Sequence, residues 1–242
     1  MFIINALKII FLLGFLIFIH EGGHFLVAKL CKVRVNEFAI GFGPTILKKQ
    51  GKETKYALRL IPLGGFVNME GETEASNKGD AFNNAAIPKR IAIVAAGATV
   101  NIVFGITVFM ILITMSYGDL TIGIKTTGDF LLSIIDSLKM MFLGKVGIND
   151  LSGPVGISKV VTETSGVMQY IYILSVVSVS LGFTNLLPIP ALDGGKIVLL
   201  IIESIRKKPL KQEVEVQIQL LGFSLLIALS IYVTYNDVLR LI

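Results

Sequence analysis

Charge is scarce in this chain of 242 residues: only 16% are Asp, Glu, Lys or Arg, against 53% hydrophobic. With a mean hydropathy of +0.77, nothing suggests a charged face for nucleic acid, and no nucleic-acid partner is expected. Low-complexity tracts and repeats at a solenoid period are missing too, which excludes a disordered linker protein or a helical array. The one cysteine, Cys31, rules out an internal disulfide and leaves the redox compartment unread. Histidine is almost as rare. The chain has two, and both lie in one phrase, His20-Glu21-Gly22-Gly23-His24.

The abundant feature is long apolar runs. A bilayer needs about 20 residues of helix, and four stretches qualify: residues 2–30, 91–117, 170–202 with an interruption, and 218–235. The first lacks the small-residue cleavage site of a removed signal peptide and is expected to stay as a span. The expectation is a mainly α, polytopic membrane protein in one domain over 1–242, with about four transmembrane helices, the third of them broken. Between the first two spans, Val33, Val35, Phe38 and Ile40, then Tyr56 to Leu60, alternate like short strands about a Gln50-Gly51-Lys52 turn, and the glycine-rich stretch Leu63 to Glu72 follows. A small membrane-associated β-sheet in region 32–72 fits. Further on, Leu131, Ile134, Ile135, Leu138 and Phe142 are spaced like one helix face, suited to lie in the interface or to pack against the spans.

Loop charge orients such a chain. The connection after the first span carries Lys32, Arg34, Lys48, Lys49, Lys52, Lys55, Arg59, Lys78, Lys89 and Arg90, and the one before the last span carries Arg206, Lys207, Lys208 and Lys211. The stretch 118–169 holds only Lys125, Lys139, Lys145 and Lys159, set against five acids. The positive-inside bias puts both basic connections in the cytoplasm and both termini outside.

On a helix, H-E-x-x-H places two imidazoles one turn apart on one face with a carboxylate beside them, the arrangement of a hydrolytic zinc site. From Phe2 to Ile19 the only charge is Lys8, so the phrase lies at membrane depth, where ionisable groups are costly and usually functional. A catalytic zinc commonly takes three protein ligands and a water. There is no third histidine, and Cys31 is about 10 Å further along the helix, so a carboxylate is needed. Of the acids, only Glu21, Asp193 and Glu203 fall in or at the ends of apolar spans. Asp193 stands out because Pro188, Pro190, Gly194 and Gly195 interrupt the third span around it, a break tolerated where backbone lines a cavity. Asp193 could instead be the N-cap of a helix over 195–202. Asn185 is open between bonding a freed carbonyl and contacting substrate. Gly22 and Gly23 leave room for a substrate strand or for a neighbouring helix.

These phrases, together with Pro62-Leu63-Gly64-Gly65-Phe66-Val67, Ala95-Ala96-Gly97 followed by Asn101, Leu151-Ser152-Gly153-Pro154-Val155-Gly156-Ile157 and Asn185 through Gly195, resemble the site-2 protease family of intramembrane zinc metalloproteases, specifically the bacterial regulator of sigma E protease group. The resemblance implies Zn2+ held by His20, His24 and Asp193, with Glu21 as catalytic base. It implies a membrane-associated β element at Gly64, Gly65 and Phe66 that presents substrate, and contact of Asn185 with the substrate backbone. Expected partners are the lipid bilayer and single-span membrane proteins, such as anti-sigma factors or signal-peptide remnants already shortened by another protease. The expected place is the bacterial cytoplasmic membrane. Two departures stand out. The group carries one or two PDZ domains between spans two and three, whereas here Tyr117 is soon followed by Ile122-Gly123-Ile124, which resembles the sequence after the PDZ; the segment 118–169 stands in its place, and the usual size filter on substrates is open. Ala98 replaces a common proline, which bears on the shape of span two. The competing reading is a membrane metal carrier or a catalytically silent metal-binding scaffold using the same ligands; a carrier should show more broken or polar spans.

Overall fold

The computed structural model describes residues 2–145 and 153–239. Within them the chain is mainly helical: α1 (Phe2–Leu30), strands β1 (Val35–Gln50) and β2 (Lys55–Met69), α2 (Ile87–Tyr117), α3 (Leu120–Phe142), α4 (Pro154–Thr162), α5 (Val167–Asn185), α6 (Asp193–Arg206) and α7 (Gln212–Leu239). Four helices are long and apolar enough to cross a membrane, over Ile3–Leu30, Ile87–Tyr117, Val167–Asn185 and Glu213–Leu239. Their exposed faces are covered with large apolar residues, Ile3, Leu7, Phe11, Met115, Leu221 and Leu225 among them, a surface suited to lipid rather than water. The break expected in the third span is there, between the end of α5 and the start of α6.

The chain divides into two compact units, one of Ile10–Ile102 and Leu181–Phe223, the other of Met1–Ile9, Val103–Ser180 and Ser224–Ile242. In the first, α1 ends on a left-handed Lys32 (φ 62°). The Val33 N–H reaches back to Ala28 O at 2.9 Å and the Lys32 N–H to Lys29 O at 3.0 Å, the Schellman pattern that turns a chain out of a helix. Ala28 and Val33 then join Val35, Phe38, Val67, Met69, Phe82, Ile93, Val94 and Leu200 in one buried cluster. Each fully buried large side chain there contributes about 1.5–3 kcal/mol, which ties the sheet to α1, α2 and α6.

The sheet is larger than the alternation predicts. β1 and β2 each bend, β1 at Gly41 and Gly43 and β2 at Gly64, all with positive φ. Phe38 consequently lies opposite both Val67 and Tyr56, and Lys49 opposite Tyr56. The first arm of β1 is thus flanked on both sides, whereas the last arm of β2, from Gly65 to Met69, has a β neighbour on one side only. Beyond it, Glu70 anchors the following loop by accepting from Ser76 Oγ at 2.7 Å and Asn36 Nδ2 at 3.0 Å.

In the second unit, α3 opens on Asp119, which accepts from Thr121 N at 2.7 Å. It starts well before the helix face recognised at Leu131. Of the phrase Leu151 to Ile157, Leu151 and Ser152 lie outside the described residues. Its remainder starts α4, where the Gly153 and Gly156 N–H groups both donate to Asp237 Oδ2 at 2.9 Å, satisfying orphan donors at the helix start.

Candidate metal centre

His20 falls on the buried stripe of α1 that includes Leu12 and Leu16, four residues apart, and His24 is one turn further on. Their Nε2 atoms are 3.2 Å apart. Asp193, from the other end of the sequence, brings Oδ2 to 3.2 Å from His20 Nε2 and 3.5 Å from His24 Nε2. Among the described residues this is the one group of three metal-ligating side chains so gathered. A tetrahedral ion with bonds of about 2.0–2.1 Å sets its ligand atoms about 3.3 Å from one another, so the triangle fits zinc. Asp193 Oδ2 is also buried with no well-formed hydrogen bond, an open valence that an ion would satisfy.

α2 holds the imidazoles from one face, at positions 93, 97 and 101. His24 Nδ1 lies 2.8 Å from Ile93 O, and His20 Nδ1 lies 3.3 Å from the Asn101 side-chain amide. A metal held by both Nε2 atoms would leave each Nδ1 protonated and donating outward; the atom nearest His20 Nδ1 is Asn101 Nδ2, and turning that amide over would set its oxygen there as the acceptor. Between these two supports the helix passes directly over the site. A Cβ on Gly97 would lie 2.4 Å from His24 Nε2 and 2.8 Å from His20 Nε2. The sequence places Gly97 and Asn101 in a family phrase but assigns them no part; their one local signal is a glycine and an asparagine four apart in an apolar helix.

Asp193 is delivered by the break. The N-cap of α6 is Leu192 and Asp193 is already helical, so the N-cap alternative for Asp193 does not hold. The preceding Ala191 has φ 73°, and its N–H donates to Gln219 Oε1 of α7 at 2.6 Å. Gly194 and Gly195 admit no side chain, since a Cβ on either would lie 2.3 Å from a carbonyl oxygen of Leu186, Leu187 or Ile189. The glycine pair lets the break fold tightly onto the first turn of α6.

A cavity of about 210 Å3 opens on the triangle, lined by His20, Glu21, His24, Gly65, Phe66, Val67, Met69, Glu72, Val94, Asp193 and Lys196. Glu21 therefore shares the cavity with the ligands, and Gly65 passes so close that its Cβ would sit 3.1 Å from Glu21 Cγ. Gly64 forms the bend, with φ 125°, and does not line the cavity; nor does Asn185, half-buried at the end of α5. Gly23 packs on α2, where a Cβ would meet Ala96 O at 2.7 Å, while Gly22 faces open space. At the far end of α6, Glu203 pairs with Arg90 of α2.

Comparison with known proteins finds zinc metalloproteases among the relatives of this chain. A candidate zinc metalloprotease of Clostridium acetobutylicum is 31% identical, over 97% of each chain. One from Fusobacterium nucleatum is 28% identical over 95% of this chain and 97% of its own. The zinc metalloprotease RasP of Shouchella clausii is 42% identical across 45% of this chain and 27% of its own. The Clostridium alignment extends over 329 positions although this chain has 242 residues, so that relative carries a stretch with no counterpart here, and no PDZ domain is evident in this chain. Residues 8–229 match the profile of peptidase family M50, the site-2 proteases. The chain belongs to that family.

Proposed function

We propose that this multi-pass membrane protein is a zinc endopeptidase that cuts within or near the transmembrane segments of single-span proteins, anti-sigma factors and signal-peptide remnants being the substrate types. The observation that carries this reading is the triangle of His20, His24 and Asp193 with Glu21 in the same cavity, set in helices suited to lipid. Those three side chains would hold a zinc ion, which when bound would supply Lewis-acid polarisation of the scissile carbonyl and a water acidified to a pKa of about 7. Glu21 takes the proton as the water oxygen bonds to the carbonyl carbon, then returns it to the leaving nitrogen as the C–N bond breaks.

A helical substrate satisfies its own backbone, so it has to unwind before a carbonyl is available. The arm Gly65 to Met69 has a free edge beside the cavity, and pairing an unwound strand along it replaces the lost hydrogen bonds. Gly65 and Phe66 then present substrate while Gly64 shapes the bend, and the family resemblance assigns Asn185 to the substrate backbone as well. The bacterial relatives support a bacterial cytoplasmic membrane, and loop charge supports the sheet on the cytoplasmic side with both termini outside.

The test is cleavage of a single-span substrate by the purified protein in detergent, with metal analysis. Glu21→Gln should lower kcat by about 10²–10⁴-fold with zinc retained, and Asp193→Asn should weaken zinc itself. Removal of residues 64–67 should abolish cleavage at unchanged zinc content; full activity there would sink the strand-pairing step.

A further inference from the structure

The cavity contains a cation that the reaction as described leaves unused. Lys196 stands three residues after Asp193 in α6, on the same helix face, and lines the cavity with His20, Glu21 and Asp193. Its side chain is only 19% exposed. Nζ donates to Glu72 Oε1 at 2.6 Å and lies 5.0 Å from the centre of the Phe82 ring. Glu72 is itself set by the loop that Glu70 anchors, so the ammonium is held from two sides. Stability is a weak reason for such a pair, because a buried ion pair seldom outperforms an apolar replacement of similar volume.

Amide hydrolysis supplies a stronger reason. When the water oxygen bonds to the carbonyl carbon, the carbonyl π pair moves onto oxygen, and donors already aimed at that charge supply the largest catalytic contribution. Most polar side chains around the cavity are unsuited to this. Glu21, Glu72 and Asp193 are acceptors, and the two imidazole Nε2 atoms turn toward Asp193. Lys196 has three N–H donors, of which Glu72 takes one. A second cavity, of about 410 Å3 against α7, shares Glu72, Asp193 and Lys196 with the first, so the ammonium stands where the two meet.

We propose that Lys196 is a further catalytic residue, which donates a hydrogen bond to the oxyanion of the tetrahedral intermediate while Glu72 and Phe82 hold its ammonium in place. Lys196 keeps its proton throughout; the transferred proton passes through Glu21 alone. The proposal rests on the peptidase reading above. The experiment compares wild type with Lys196→Met, Lys196→Arg and the double variant Lys196→Met/Glu72→Gln, measuring kcat, KM, bound zinc and thermal melting on a single-span substrate. Lys196→Met should lower kcat by about 10²–10³-fold with KM and zinc little changed, and Lys196→Arg should recover much of the loss. The double variant leaves no unpaired carboxylate and should remain as slow as Lys196→Met. Recovery of wild-type kcat in the double variant would show that Lys196 serves only to neutralise Glu72, and would overturn the proposal. So would an unchanged kcat in Lys196→Met, or a loss tracking bound zinc or melting. If Glu21→Gln cleaves as fast as wild type, the peptidase reading fails instead.

Discussion

At Gly97 one methyl group would enter the space between the two imidazole nitrogens and the α2 backbone. Gly97→Ala should therefore push the histidines apart and weaken zinc, measured by competition with a chromogenic chelator, while helix content is kept or raised, since alanine is the better helix former. Asn101→Leu removes the acceptor opposite His20 Nδ1 and is expected to lower zinc affinity by about 10–100-fold, with Asn101→Asp, which keeps the acceptor, losing less. His20, Glu21, His24 and Asp193 can be read from sequence because ionisable groups are so rare in these spans that each one demands a reason. Gly97, Asn101 and the Ile93 carbonyl cannot. They act through distances across a helix packing, and two of the three, Gly97 and the Ile93 carbonyl, act through the backbone rather than a functional side chain.

The elements around the break act in the same indirect manner. Gln219 of α7 satisfies the Ala191 N–H just before Asp193. Gln219→Leu orphans that group, at a cost of about 1–3 kcal/mol, and should lower both melting temperature and zinc retention, whereas Gln219→Glu keeps an acceptor and should retain more of each. The loop after β2 has a pH signature. Hydrogen bonds from Ser76, then Asn36 and Lys78, hold the Glu70 carboxyl down to about 2. A depressed carboxylate stabilises the fold above its unfolded value of about 4.3, and that stabilisation is lost as pH falls toward the folded value. Wild type should thus melt above Glu70→Gln near neutral pH, and the gap should narrow steadily below about pH 4. Alternation in the sequence found both strands but not their bends, because a fold-back at Gly41, Gly43 and Gly64 is decided by which arm each segment meets.

For the whole molecule, the orientation drawn from loop charge has a direct check. In a Cys31→Ser background, a cysteine at Asp119 should react with a membrane-impermeant maleimide added to intact cells, and one at Lys52 should react only after lysis; the reverse pattern would invert the topology. The four long helices and the family were both legible from sequence, since twenty apolar residues in a row have few physical outcomes and the two metal phrases are specific together. Sequence by itself determined the donor types and their setting in a long apolar helix, because a helix fixes His20 and His24 on one face whatever surrounds them. Tertiary structure alone decided that Gly97 passes over the two imidazoles, that the β2 edge lies over Glu21, and that Lys196 shares their cavity. Such meetings depend on how helices pack, and no local pattern of residues encodes the separation between two helices.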